Sequence, residues 1–158
     1  MTASEENGLV TDLARLHESA GKHVGYTDWQ EMTQDRVNQF ADATEDHQFI
    51  HVDPERAKQT PFGGTVAHGF LTLSLVAPVS QQLMKVTDAV MGVNYGLDRV
   101  RFPAPLPVGA KWRGGMEILE VSEIPGGAQI KAKVTIEVKD AAKPACVAES
   151  LVRVYGGQ

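Results

Sequence analysis

Ala67-His68-Gly69-Phe70-Leu71-Thr72-Leu73-Ser74-Leu75-Val76-Ala77-Pro78-Val79-Ser80-Gln81-Gln82-Leu83-Met84 is the stretch on which the fold turns. Drawn as a helix, it places Phe70, Leu71, Leu73, Leu75, Val76, Val79 and Leu83 around nearly every side. A helix that is apolar all round is normally buried, so residues 67–84 are expected to form the helix at the centre of the core. Pro78 has no N–H and its ring crowds the carbonyl four residues back, so it should kink or divide that helix. The run Phe70 to Val79 is the longest greasy stretch in the chain and is too short to span a bilayer.

Beyond it the pattern changes from helical to alternating. Ile130, Ala132, Val134, Ile136 and Val138 alternate with Lys131, Lys133, Thr135, Glu137 and Lys139, the period-two signature of a half-exposed strand. Pro125-Gly126-Gly127 and Asp140 to Pro144 read as hairpin turns on either side of it. Cys146, Ala148, Val152 and Val154 share one face of a final strand. Val90 to Phe102 and Ala110 to Ile124 read as two more, separated by Pro103, Pro105, Pro107 and Gly109, with a possible bulge at Gly114-Gly115.

Before the central helix the signals are mixed. Leu9, Leu13 and Leu16 fall on one helical face with Gly21 as a stop, and residues 1–8 are polar and expected to fray. Val24 to Met32 suggests a strand. Thr33 is a good N-cap, Asp35 suits the first turn, and Val37, Phe40, Ala41 and Thr44 follow at helical spacing. Glu45 to Val52 fits neither period. Asp53-Pro54-Glu55 then starts a short helix that ends by Pro61, and Gly63-Gly64 marks a flexible loop. Helices first and antiparallel strands after define an α+β chain.

The chain has 158 residues, a formal charge of −5 and one cysteine. That length suits a single domain over 1–158, able to bury roughly 70% of its unfolded surface. Mild acidity argues against a nucleic-acid or anionic-membrane partner. Cys146 has no internal disulfide partner, and no Cys/His cluster suggests structural zinc. The start MTASEENGLVTDL lacks the basic and apolar segments of a signal peptide, which points to the cytoplasm.

Asp46 and His51 lie in the segment without regular structure, and a carboxylate with an imidazole is the usual apparatus of acid–base chemistry near neutral pH. Taken alone, such a pair is more often a cap and a packing residue. His47 ranks below His51, because neighbours in a loop point different ways. Gly69 opens the central helix, where a glycine lets a ligand carbonyl approach the free N–H groups; tight helix–sheet packing would ask for the same residue. His68 reads as structural, Trp29 and Trp112 as core or interface aromatics, and Cys146 as inert packing. Arg99, Arg101, Lys111 and Arg113 flank the proline-rich turn and suit either a phosphate-bearing ligand or, more often, a solvated strand face.

Three ordered motifs then converge. Phe40-Ala41-Asp42-Ala43-Thr44-Glu45-Asp46-His47-Gln48-Phe49-Ile50-His51-Val52-Asp53-Pro54-Glu55-Arg56-Ala57 resembles the hydratase motif of the MaoC-like (R)-specific enoyl-CoA hydratases. Ala67-His68-Gly69-Phe70 and Asn94-Tyr95-Gly96-Leu97-Asp98-Arg99-Val100-Arg101-Phe102-Pro103-Ala104-Pro105 resemble the same family, in its branch related to nodulation protein N. The resemblance runs from about Gly25 to the end.

It implies a hot-dog fold, a curved antiparallel sheet wrapped around a long central helix. It implies a homodimer with acyl-CoA bound near the interface, no metal or redox cofactor, and a place in fatty-acid metabolism. The family's catalytic carboxylate falls on Asp46, its histidine on His51, and its backbone donor to the thioester carbonyl on Gly69. Gln48 and Phe49 stand where many members have asparagine and proline, and Glu45 where a small residue is common. These two and His68 are the supporting candidates, with Phe49 bulky enough to shorten or reroute the acyl pocket. The implied reaction is hydration of trans-2-enoyl-CoA to (R)-3-hydroxyacyl-CoA, or its reverse, with His51 as base and Asp46 as its partner and proton donor. An acyl-CoA thioesterase and a non-catalytic acyl-CoA-binding or partner subunit are the alternatives.

Overall fold

The computed structural model describes residues 7–157. In chain order the elements are β1 (Leu9–Thr11), a 3-10 turn (Leu16–Ser19), β2 (His23–Tyr26), β3 (Gln30–Glu31), α1 (Gln34–Thr44), α2 (Phe49–Val52), α3 (Pro54–Ala57), α4 (Gly69–Ser74), α5 (Val76–Leu83), β4 (Met84–Val86), β5 (Ala89–Arg101), β6 (Lys111–Ile124), β7 (Gly127–Val138) and β8 (Cys146–Gly156). One antiparallel sheet runs β2-β6-β7-β8-β5, with β3 also on β6. The helix pair α4 and α5 lies on its inner face, touching β2, β6, β7 and β8. This is the hot-dog arrangement.

The alternation in β7 decides which face the helix meets. Ile130, Ala132, Val134, Ile136 and Val138 are all buried, while Lys131, Lys133 and Thr135 face outward. Leu71, Leu75, Val76, Val79 and Leu83 bury against them from the helix side. The hairpin turn falls where expected: Ile124 pairs with Gly127, and Pro125-Gly126 with Gly126 at φ +80° has the proline and glycine positions of a type II turn. No helix among the described residues is long and apolar enough to cross a membrane.

The central helix departs from the expected 67–84 span at both ends and in the middle. Ala67 donates its N–H to Leu106 and His68 is the extended N-cap, so the helix begins at Gly69. Met84 is already extended and pairs with Leu9. The break falls at Leu75, between α4 and α5, and not at Pro78 itself. Pro78 cannot donate to the Ser74 carbonyl and its ring pushes against it, so the disturbance appears one turn earlier.

Other expectations need correction. Leu9 to Leu16 is not a helix: Leu9–Thr11 is a strand parallel to Met84–Val86, and Asp12 caps the Arg15 N–H after it. Three leucines at helical spacing did not outweigh a pairing partner distant in sequence. Residues 1–6 of the segment expected to fray lie outside the described residues; Asn7 accepts from the Tyr26 N–H and Gly8 donates to Val24. The strand expected over Val24 to Met32 is two short pieces, both on β6. Gly114-Gly115 is not a bulge on β7: both residues pair in regular register and the shift comes at Ile118/Glu120. The glycines serve close approach instead, since a Cβ on Gly114 would sit 2.2 Å from Val79 Cγ2 and one on Gly115 2.8 Å from the Tyr26 ring.

Candidate active site

Three local decisions bring the candidate residues together. Thr33 caps α1 by accepting from the Arg36 N–H, and α1 ends at Glu45, whose left-handed φ of 65° turns the chain out of the helix. Asp46, His47 and Gln48 follow in irregular backbone. The single turn α2, not anticipated from the sequence, then carries His51 inward. Asp53 caps α3 through the Arg56 N–H with Pro54 at the first helical position, as its sequence signature predicts.

His51 is buried, and its Nδ1–H donates to the Val66 carbonyl at 2.7 Å. A carbonyl only accepts, so in the neutral ring the proton sits on Nδ1 and Nε2 keeps its lone pair. Burial holds the His51 imidazole below its ordinary pKa; the Val66 hydrogen bond opposes this, nearby His68 adds to it, and Asp46 opposes it weakly. His68 is buried too. Its Nε2–H donates to the Asp46 backbone carbonyl at 2.9 Å, and its ring stacks on His51 with centroids 3.8 Å apart. Side-chain donors of Asp46, His51 and His68 all lie within 4.8 Å of one another. The two imidazoles are nearly parallel, so their lone pairs run side by side and do not converge as metal ligands do.

Gly69 follows His68 and is exposed. His68 provides no side-chain cap, and the first N–H groups of a helix lack intrahelical partners. A Cβ on Gly69 would meet Phe102 at 3.5 Å, an ordinary contact. Tight packing therefore does not require this glycine. One residue further on, an apolar cleft of about 330 Å³ opens between the central helix and β5, lined by Phe70, Leu73, Tyr95 and Leu97 with Ser74 and Ser150. Carboxylate and imidazoles thus gather around the N-cap residue His68, with the Gly69 N–H next in the chain and the first cleft-lining residue, Phe70, after it, a set of groups suited to proton transfer beside a polarised carbonyl.

The remaining candidates divide. Gln48 contributes its backbone, through a carbonyl that accepts from the His51 N–H and an N–H aimed loosely at Asp46. Phe49 lies under the Arg56 guanidinium and does not line the cleft. His47 pairs with Asp42 at the surface. The four cations do not surround one hairpin, because β5 and β6 are separated in the sheet by β7 and β8. Their connection crosses the start of the central helix instead, with Ala67 donating to Leu106 and Val108 to Thr65. Arg113 is spent on Glu137 and the rings of Tyr26 and Trp29. Trp112 is core, and burial pushes the Cys146 thiol up to about 11. Gln34 and Thr65 went unread in the sequence. Their side chains bond to each other, and Gln34 also bonds to the His51 carbonyl, a contact that no spacing announces.

Fold and site together define a hot-dog protein with an Asp/His pair at the head of its central helix. The family model described as the MaoC-like domain matches residues 15–142, and the chain belongs to the MaoC-like dehydratase family, in its branch related to nodulation protein N. It is 51% identical over 145 residues to 3-hydroxyacyl-thioester dehydratase Z of Mycobacterium tuberculosis, covering 91% of this chain and 94% of that one. It is 44% identical over 140 residues to nodulation protein N of Rhizobium leguminosarum bv. viciae, covering 86% of each. Among solved structures, the (R)-hydratase of A. caviae involved in PHA biosynthesis superposes with a TM-score of 0.70 at 23% identity, over 84% of this chain and 94% of that one.

Proposed function

We propose that this chain is an (R)-specific hydratase of trans-2-enoyl thioesters, with acyl-CoA as substrate, and that it runs equally as the 3-hydroxyacyl dehydratase. The observation that carries this is the clustering of Asp46 with a buried His51, whose Nδ1–H is taken by Val66 so that Nε2 is left free, around His68, the residue that precedes the uncapped Gly69 N–H. The acyl chain enters the cleft and the thioester oxygen faces Gly69. His51 Nε2 takes a proton from a water held between it and Asp46 as the water oxygen bonds to C3. The C2–C3 π pair moves toward the thioester, and the Gly69 N–H stabilises the enolate oxygen. The proton held on His51 Nε2 passes to the Asp46 carboxylate and Asp46 delivers it to C2, so both side chains end as they began. Water is consumed whole, its hydroxyl on C3 and its hydrogen on C2. The 51% identical relative, by its name a 3-hydroxyacyl-thioester dehydratase, supports the same chemistry.

We further propose that two copies pair through β5, whose second edge meets no strand among the described residues and carries exposed Val90, Met91, Val93 and Tyr95. β5 also walls the cleft, so the partner would complete the acyl pocket.

The test follows the conjugated enoyl absorbance of trans-2-enoyl-CoAs from short to long, with free thiol assayed in the same samples. Loss of absorbance without thiol release is the expected result. Thiol release would make the protein a thioesterase, and no change with any chain length would make it a non-catalytic or partner subunit.

A further inference from the structure

We infer that Gln34 is a positioning residue for His51: its side-chain amide, reaching from α1, ties the His51 backbone carbonyl to the Thr65 hydroxyl and so fixes the tautomer and aim of the imidazole. This rests on the proposed role of His51 as the base. Gln34 Nε2 donates to the His51 carbonyl at 2.7 Å and to Asn38 Oδ1 at 2.9 Å, while Gln34 Oε1 accepts from the Thr65 hydroxyl at 2.6 Å. The orientation of the amide is determined, because a backbone carbonyl can only accept and the nitrogen must face it.

These bonds close a circuit. From His51 the Nδ1–H runs to the Val66 carbonyl, and Val66 is the neighbour of Thr65. Thr65 runs to Gln34, and Gln34 returns to His51. Inside the circuit the Val66 N–H donates to Ile50 at 3.0 Å. The Val66 carbonyl selects the Nδ1–H tautomer of His51, and that tautomer leaves Nε2 free as a base. With the proton on Nε2 instead, the ring presents a donor to the water and no base. Gln34 therefore bears on the reaction without touching it. It holds the 65–66 segment at the distance from His51 at which the carbonyl makes its choice.

An ordinary helix-to-loop tie would share these contacts but would not control a tautomer, so the two readings separate. Gln34→Leu removes all three side-chain bonds, those to His51, Thr65 and Asn38. Gln34→Glu keeps the shape and the Thr65 bond, but sets a carboxylate oxygen against the His51 carbonyl. Both variants, with the wild type, would be examined by long-range ¹⁵N–¹H correlation of the His51 ring and by enoyl-CoA hydration kinetics. We expect folded variants in which a second tautomer appears and kcat falls about 10- to 100-fold, with KM within about twofold of the wild type. Folded variants with the single wild-type tautomer would overturn the inference. So would loss of the fold in both, since Gln34 would then serve only the fold. A wild type that hydrates no enoyl thioester, or an undiminished His51→Ala variant, would instead remove the proposed function. The tautomer measurement would still decide the role of Gln34.

Discussion

At the residue scale the governing fact is that His51 is buried and keeps one nitrogen free. Burial penalises the imidazolium, so the folded-state pKa lies below the ordinary 6.5. In its proposed role as the base, His51 must be neutral to work. Turnover is therefore expected to rise with pH through a value below about 6.5 and to be level at neutral pH. The Asp46 carboxylate favours the cation; Asp46→Asn should move this acid limb to still lower pH in whatever activity remains. His51→Ala should lower kcat by about 10²–10⁴ while acyl-CoA still binds. Stopped-flow hydration from pH 5 to 8, with calorimetric binding of a saturated acyl-CoA, checks both statements, and an acid limb above 6.5 would contradict the first. The sign for stability follows the same shift. The unfolded chain binds the His51 proton more tightly than the folded one, so stability falls as pH drops through the unfolded pKa toward the folded one. That Asp46 and His51 come together was legible from residue type and motif. The hydrogen bonds that give His51 its tautomer were not, because Val66 acts through a carbonyl that every residue possesses.

At the element scale the tightest constraint is the seat of α5 on β6. Val79 is 1% exposed and its Cγ2 occupies the place where a Gly114 side chain would begin. Val79 is β-branched and stiff, and its helix is held against the sheet, so neither group yields easily. Gly114→Ala is expected to destabilise the fold by about 1–3 kcal/mol, the usual range for an overpacked core. Gly115→Ala, which meets the half-exposed ring of Tyr26, should cost less. Removing the two methyls in a Gly114→Ala/Val79→Ala protein should restore part of the loss, giving a double variant more stable than the sum of the single ones. Urea unfolding of the four proteins measures this, and simple additivity would show that the two residues do not meet. The same element shows how far sequence patterning reaches. Apolar residues marked the central helix and strict alternation marked β7, because burial imposes such periods, but the helix is buried on one side only, through Leu71, Leu75, Val76, Val79 and Leu83, and its apolar Phe70 is exposed. The glycine pair was visible but misread as a bulge. A bulge and a close approach both ask for a missing Cβ, and only the partner, some thirty-five residues earlier, separates them. The helix expected at Leu9 failed similarly, since its true partner is the strand after α5.

At the scale of the whole molecule, one long strand edge meets no other strand among the described residues. β5 spans 13 residues and pairs on one side with β8 alone among the described strands. Chains that live as monomers blunt such edges with charge, proline or a covering segment. Here the edge carries Val90 at 70% exposure, Met91, Val93 and Tyr95 at 56%, and Phe70 stands beside it on the helix at 73%. A contiguous apolar patch is uncommon on a monomer and marks an interaction site. In the dimer proposed above a second copy covers it, since an antiparallel edge meeting its own twofold mate satisfies its backbone groups and buries the same side chains on both. Sedimentation equilibrium should therefore give twice the 17.1 kDa chain mass. Val93→Lys/Tyr95→Lys should give a folded monomer and lose most hydration activity, because the cleft at Tyr95 and Leu97 would open to water on its outer side. Val10→Lys, at an exposed apolar site on β1, should remain dimeric and active. A double-lysine protein that stays dimeric would place the interface elsewhere. A monomer with wild-type turnover would mean that one chain encloses its substrate alone, and the exposed wall of the cleft would then need a different explanation.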